Sequence, residues 1–143
     1  MQHHHSVIEI LYFLEGRHRI ICDDEEYVAE AGDMLLVRSF SSHELYSLDE
    51  LCVHTVLQIP PAVIMSMSES NLCNSYLLAL SYTNNNSKCL WKKEECEKLG
   101  LDVIFQKFIL ERKEQFPCYD LIRNSYSLQI LSIILRDLNN SNI

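Results

Sequence analysis

Apolar and polar residues alternate in short runs through roughly the first 60 positions, then give way to longer stripes of helical period. From His3 to Leu14 the run HHHSVIEILYFL sets His3, His5, Val7, Glu9, Leu11 and Phe13 on one parity. Ile8, Ile10, Tyr12 and Leu14 fall on the other. Successive side chains of a strand face opposite ways, so the run predicts one strand, apolar on both faces and covered on both. Gly16-Arg17 then predicts a turn. Arg19–Cys22 and Tyr27–Ala29 predict a hairpin closed by Asp23-Asp24-Glu25-Glu26, whose polar residues suit a turn. Glu30-Ala31-Gly32-Asp33 predicts a tight turn in which Gly32 supplies a positive φ. Met34–Val37 reads as a buried strand, Arg38–Ser42 as a loop and His43–Tyr46 as another strand. Cys52–Ile59 is a long strand that Pro60-Pro61 stops. Short strands separated by turn signals indicate a barrel or sandwich.

The pattern then changes. Ala62–Ser68 and Asn71–Tyr82 predict short helices, the second ended by the polar run from Thr83 to Ser87. Lys88–Lys92, around Trp91, fits either a strand returning to the barrel or the lead-in to a helix. From about Glu94 the signal is helical. Leu101, Ile104, Phe105, Phe108 and Ile109 form an amphipathic stripe. Gly100 weakens its first turns, and Pro117 separates it from a last helix over roughly 119–139. In that helix Leu121, Asn124, Leu128, Leu131, Leu135 and Leu138 follow alternating spacings of three and four, a heptad seam with one polar member. Ile122, Tyr126, Ile130, Ile133 and Ile134 make a second strip. A helix apolar on two sides needs two partners. The preceding helix or the barrel supplies one, and a second copy of the chain is expected to supply the other. The expected layout is a barrel with short helices over residues 1–93 and a two-helix dimerisation segment over 94–143.

Composition narrows the function classes. With 143 residues, 48% of them hydrophobic, the chain can bury a real core. Residues 1–60 carry three Lys/Arg against eleven Asp/Glu, while residues 61–143 carry nine of each, so the net charge of −8 lies in the first half. An acidic half of that kind repels phosphate backbones. The six cysteines form no CxxC pair, which excludes a spelled-out zinc knuckle or dithiol motif and favours free buried thiols. The apolar runs are too short for a membrane span, and a soluble cytoplasmic protein is expected.

Two spacings carry the chemistry. His3, His5, Glu9 and Gly16 follow the pattern HxH, three residues, Glu, six residues, Gly; Gly32, Arg38-Ser39-Phe40 and His43 follow Gly, five residues, a turn triplet, two residues, His. Fifteen residues separate Gly16 from Gly32. This pair resembles the two motifs of the cupins, with Arg38 and Phe40 standing where the family has Pro and Gly, and Ser47 where it has Asn. The resemblance implies a cupin-like double-stranded β-helix (jelly-roll) barrel, mainly β, followed by a helical hairpin. The barrel followed by two helices is similar to the effector-binding and dimerisation domain of AraC-type transcriptional regulators. The helix-turn-helix DNA-binding part usual in that family is not found within residues 1–143.

Three imidazoles and a carboxylate, His3, His5, His43 and Glu9, suit Zn, Fe, Mn, Ni or Cu. Members of the resembled family also use such positions as polar contacts to an organic effector. The opening Met-Gln-His-His-His would equally fit a purification tag, although its phase with Glu9 and Gly16 argues for ligands. An effector pocket is expected from His5, Val7, Glu9, Leu11, Phe13, Arg38, His43 and Tyr46: an apolar lining with a few polar anchors. Arg38 would hold a ligand carboxylate or phosphate, or stand as a solvated loop charge. His18 and His54 on their strands are expected to be satisfied or surface residues. The preferred reading is a non-enzymatic sensor of a small molecule, a sugar or another metabolite, that forms a homodimer and reaches DNA only through a further domain. The alternative is a small metal-dependent cupin enzyme, a dioxygenase or isomerase.

Overall fold

The computed structural model describes residues 3–4 as backbone, and residues 7–80 and 88–140. The chain divides into two compact units, Met1–Lys93 and Glu94–Ile143. The first is built from two four-stranded antiparallel sheets. One has the order β1 (His3–His4), β6 (Ser42–Ser47), β3 (His18–Cys22), β4 (Glu25–Ala29). The other has the order β7 (Val53–Ile59), β2 (Ile8–Glu15), β5 (Met34–Val37), β8 (Leu90–Trp91). Two short helices, α1 (Pro61–Met67) and α2 (Asn71–Leu80), follow β7. The fold is mainly β with C-terminal helices, as the cupin-like reading requires.

Side chains from both sheets meet in one core. Leu11, Phe13, Ile20, Cys22, Ala29, Leu35, Val37 and Cys89 are buried together, with Tyr27, Leu45, Val56 and Leu90 packed against them. On β2 these are the odd positions; the even ones, Ile8, Ile10 and Tyr12, are buried too. The central strand is thus covered on both faces, as its pattern predicts.

The single strand expected over His3–Leu14 is instead two strands in different sheets. β1 pairs with β6, placing His3 opposite His43, whereas β2 pairs with β5 and β7. No Gly or Pro lies in His3–Leu14 to announce the change of sheet. The hairpin turn is also tighter than expected. Only Asp23 and Asp24 lie outside the strands, with φ of 48° and 68°. Two consecutive positive φ values make the turn whose twist matches a two-residue hairpin, and Asp tolerates them.

Other turns follow their residues. Gly16 has φ 77°, and a Cβ there would lie 2.3 Å from the Leu51 carbonyl oxygen, so both conformation and space demand glycine. Asp33 closes the Glu30–Asp33 turn by accepting from the Glu30 amide at 2.8 Å. Its carboxylate also takes the Lys93 amide at 2.8 Å and Lys92 Nζ at 3.1 Å, which fastens the chain just after β8. The segment around Trp91 is therefore a strand that returns to the sheet beside β5. The expected end of α2 lies outside the described residues.

In the second unit, Gly100 at φ 74° ends α3 (Lys93–Leu99) and starts α4 (Leu101–Glu114). The single helix with a weak start is thus two helices, because the left-handed turn closes the first. α4 packs on α5 (Tyr119–Leu138) as a hairpin. In the expected seam of α5, Leu131 and Leu135 are buried within the single chain, Leu128 and Leu138 are half-buried, and Leu121 and Asn124 are exposed. Leu131 and Leu135 are therefore not free to form an interface between copies. Leu110, Phe116, Leu121 and Ile122, around the tip of the hairpin, are exposed.

Candidate functional site

The sheet registers set two polar groups at opposite ends of an apolar interior. At one end Glu9 on β2 lies opposite Gln58 on β7 and Val37 on β5. Across the core, His43 on β6 lies opposite Cys22 on β3. Glu9 and His43 are both buried, and His43 Nε2 is 3.2 Å from Glu9 Oε2. The other carboxylate oxygen, Oε1, accepts from Gln58 Nε2 at 3.0 Å. A buried carboxylate held by two donors from different strands is pre-organised to hold a polar group of a ligand.

Leu11, Val56, Leu35, Ile20 and Leu45 occupy the middle of the interior. At the far end, roughly 13 Å along β2 from Glu9, Phe13 faces His54 on β7 and His18 on β3. The ring centroids are 4.8 Å apart for Phe13 and His18, and 5.3 Å for the edge-on pair His18 and His54. His18 is buried, and neither ring nitrogen has a hydrogen-bond partner of good geometry. Burial, then the neighbouring His54, holds the His18 pKa below the ordinary imidazole value, with the Gly16 backbone opposing. Burial lowers that of His54 as well.

Arg38, directly after β5, is buried rather than solvated, with 9% of its surface exposed. It donates from a terminal guanidinium nitrogen to the Lys88 carbonyl at 3.1 Å. Burial lowers its pKa, while Cys89, Cys22, Asp23 and Tyr27 favour its charge. Burial and neighbouring Asp23 push the Cys22 thiol up to about 12, so it is neutral and a poor nucleophile. Cys89 and burial raise Tyr27 likewise. The altered turn triplet follows: Phe40 takes φ 63°, a glycine-like conformation, and leaves its ring 65% exposed.

The structure thus brings Glu9 and His43 together and buries Leu11 and Phe13 in the core of the same unit. It does not bring Tyr46 there. Tyr46 is out of phase with His43 and Leu45 on β6, is exposed, donates its hydroxyl to Glu44 and lies under the Arg19 guanidinium. Val7 sits in a half-buried bend before β2 rather than on the strand. His5 and the His3 side chain lie outside the described residues. Among the described residues no group of three or more His, Cys, Asp and Glu side chains could hold a metal ion. Reasoning from sequence missed Gln58, Tyr27, Cys22 and Cys89, and left His18 and His54 as bystanders.

Two antiparallel sheets closed around a partly polar interior make a cupin-type ligand-binding barrel. Within that class the chain belongs to the AraC-like ligand binding domain family, whose model matches residues 1–79, and it is a ligand-sensing regulatory domain. No curated protein matches. Among solved structures, the chain is similar to the plu4264 protein of Photorhabdus luminescens at 16% identity, TM-score 0.38, over 55% of this chain and 59% of that one. It is also similar to oxalate decarboxylase at 17% identity, TM-score 0.37, over 64% of this chain and 29% of that one. A variant of the Bacillus subtilis oxalate decarboxylase matches at 16% identity with the same TM-score of 0.37 and the same coverage of 64% and 29%. The chain therefore spans about 59% and 29% of the lengths of these proteins. No described helix is long and apolar enough to cross a membrane.

Proposed function

We propose that the barrel binds a small-molecule effector in its interior and transmits occupancy to transcription. The observation that supports this is the buried Glu9–His43 pair, braced by the exposed Gln58 from β7, beside a core of apolar side chains. Effector would act by population shift, stabilising one arrangement of the domain over another by its difference in affinity for the two. DNA contact would belong to a region outside residues 1–143. Dimerisation is proposed through the helical hairpin, using Leu121 and the apolar side chains around its tip in place of the buried Leu131 and Leu135. A divalent transition ion, where one is bound, would take Glu9 and His43, with His3 and His5 completing the set. It would act as an anchor for the effector, or as a Lewis acid were the chain an enzyme.

The experiment is a thermal-shift screen of metabolites, with and without divalent transition metals, on the wild type and on Glu9→Ala and His43→Ala. Compounds that stabilise the wild type are expected to lose at least tenfold in affinity in either variant. Binding unchanged in both variants would place the effector elsewhere and refute the reading.

A further inference from the structure

Arg38 is a charge without a matching charge. Burying a guanidinium costs several kcal/mol unless an anion and hydrogen bonds compensate. Of its five N–H donors, the described residues engage one nitrogen, through the Lys88 carbonyl. No described Asp or Glu oxygen lies within salt-bridge distance of it. Asp23 acts on it from farther off, and one oxygen of that carboxylate already accepts from the Ser42 amide at 3.1 Å. Cys22 and Tyr27, whose electrostatics also reach it, stay neutral at physiological pH and supply no counter-charge. Glu9 is engaged by His43 and Gln58. Arg38 follows directly on Val37, whose side chain belongs to the same buried cluster as Cys22 and Cys89.

We propose that the effector is a monocarboxylate with an apolar body, and that Arg38 holds its carboxylate. This rests on the effector reading above. The guanidinium fork matches the two oxygens of a carboxylate, and the apolar side chains nearest in the fold, Val37, Leu35, Leu11 and Ile20, form one buried cluster with Cys22 and Cys89, suited to an apolar body. A phosphate monoester fits less well. It carries close to two negative charges, against a single unmatched cation in a half of the chain whose net charge is −8. Sugars leave the guanidinium uncompensated.

The test is calorimetric titration of the 143-residue chain with acetate, benzoate, hexanoate and decanoate, with their primary amides, and with inorganic phosphate. At least one acid is expected to bind, and its amide to bind at least tenfold more weakly. Arg38→Gln should weaken the acid by on the order of ten- to a hundredfold, the range for losing a charged hydrogen bond, and Arg38→Lys by less. Amides binding as well as acids, or Arg38→Gln binding acids like the wild type, would overturn the proposal and leave the sensor reading intact. Phosphate binding in place of every acid would overturn the carboxylate assignment. No binding by any acid would overturn it as well; the sensor reading then stands or falls on whether neutral metabolites bind in a Glu9- and His43-dependent way. The acid–amide comparison needs only wild-type protein, so it decides even if Arg38→Gln fails to fold.

Discussion

Replacing His18 with leucine should stabilise this protein. His18 is 1% exposed and its two ring nitrogens lack hydrogen-bond partners of good geometry. A buried polar group left unsatisfied costs about 1–3 kcal/mol. Leucine removes that cost and keeps most of the volume against Phe13 and His54. It forfeits the aromatic contacts seen at 4.8 and 5.3 Å, worth about 0.5–1.5 kcal/mol. The balance favours leucine by about 1 kcal/mol near neutral pH, a rise in unfolding temperature of roughly 3 °C for a chain of this size. The pH dependence gives a second reading. Burial lowers the folded-state pKa of His18 and His54 below 6.5. Below that value the unfolded chain binds protons that the folded one does not. Stability is therefore complete above about pH 6.5 and is lost as pH falls toward the folded-state values, with a ceiling of about 1.4 kcal/mol per pH unit for each histidine. Urea unfolding at about pH 7.5 and about pH 5.5 tests both points. His18→Leu should gain stability at the higher pH and lose less between the two. A loss at the higher pH, or an identical drop in both proteins, would show that His18 is satisfied and would refute the reasoning.

Two other substitutions probe the turn and the hairpin. Phe40 holds φ 63° with a largely exposed ring. Left-handed backbone costs a non-glycine residue about 1–2 kcal/mol, and glycine returns about 0.5–1 kcal/mol of that as unfolded-state entropy. Phe40→Gly should thus raise the urea midpoint by about 0.5–1 kcal/mol in stability, and a lower midpoint would mean that the ring packs in solution. For the hairpin, light scattering should give twice the chain mass for the wild type and the single mass for Leu121→Arg. Leu131→Ala, by contrast, should lower stability by about 2–5 kcal/mol as a buried truncation. A wild-type monomer at high concentration refutes the interface.

What could be read from the chain alone follows the range of the interaction. The strands of the barrel are legible because their signals are local: alternation in β3 and β7, and short apolar runs bounded by turn residues in β2 and β5. The break between β1 and β2 is not, because it arises from pairing with different sheets and leaves no mark in His3–Leu14. Tyr46 shows a nearer miss. Extending the parity of His43 along β6 already turns Leu45 inward and Tyr46 outward, so its misplacement came from reading residue type before phase. Gln58 and Arg38 are harder. Gln58 meets Glu9 only because β7 pairs with β2 in one register, and a one-residue slip would turn it to the other face. Arg38 looks like a loop charge until β8 returns from a point 50 residues later and presents the Lys88 carbonyl. Both depend on partners brought from distant sequence. The spacing of Glu9 and His43 thus pointed to the buried polar pair, while Gln58 and the burial of Arg38 were hidden in the register. The proposed anion selectivity therefore rests on a buried guanidinium that no carboxylate among the described residues approaches within ion-pair distance.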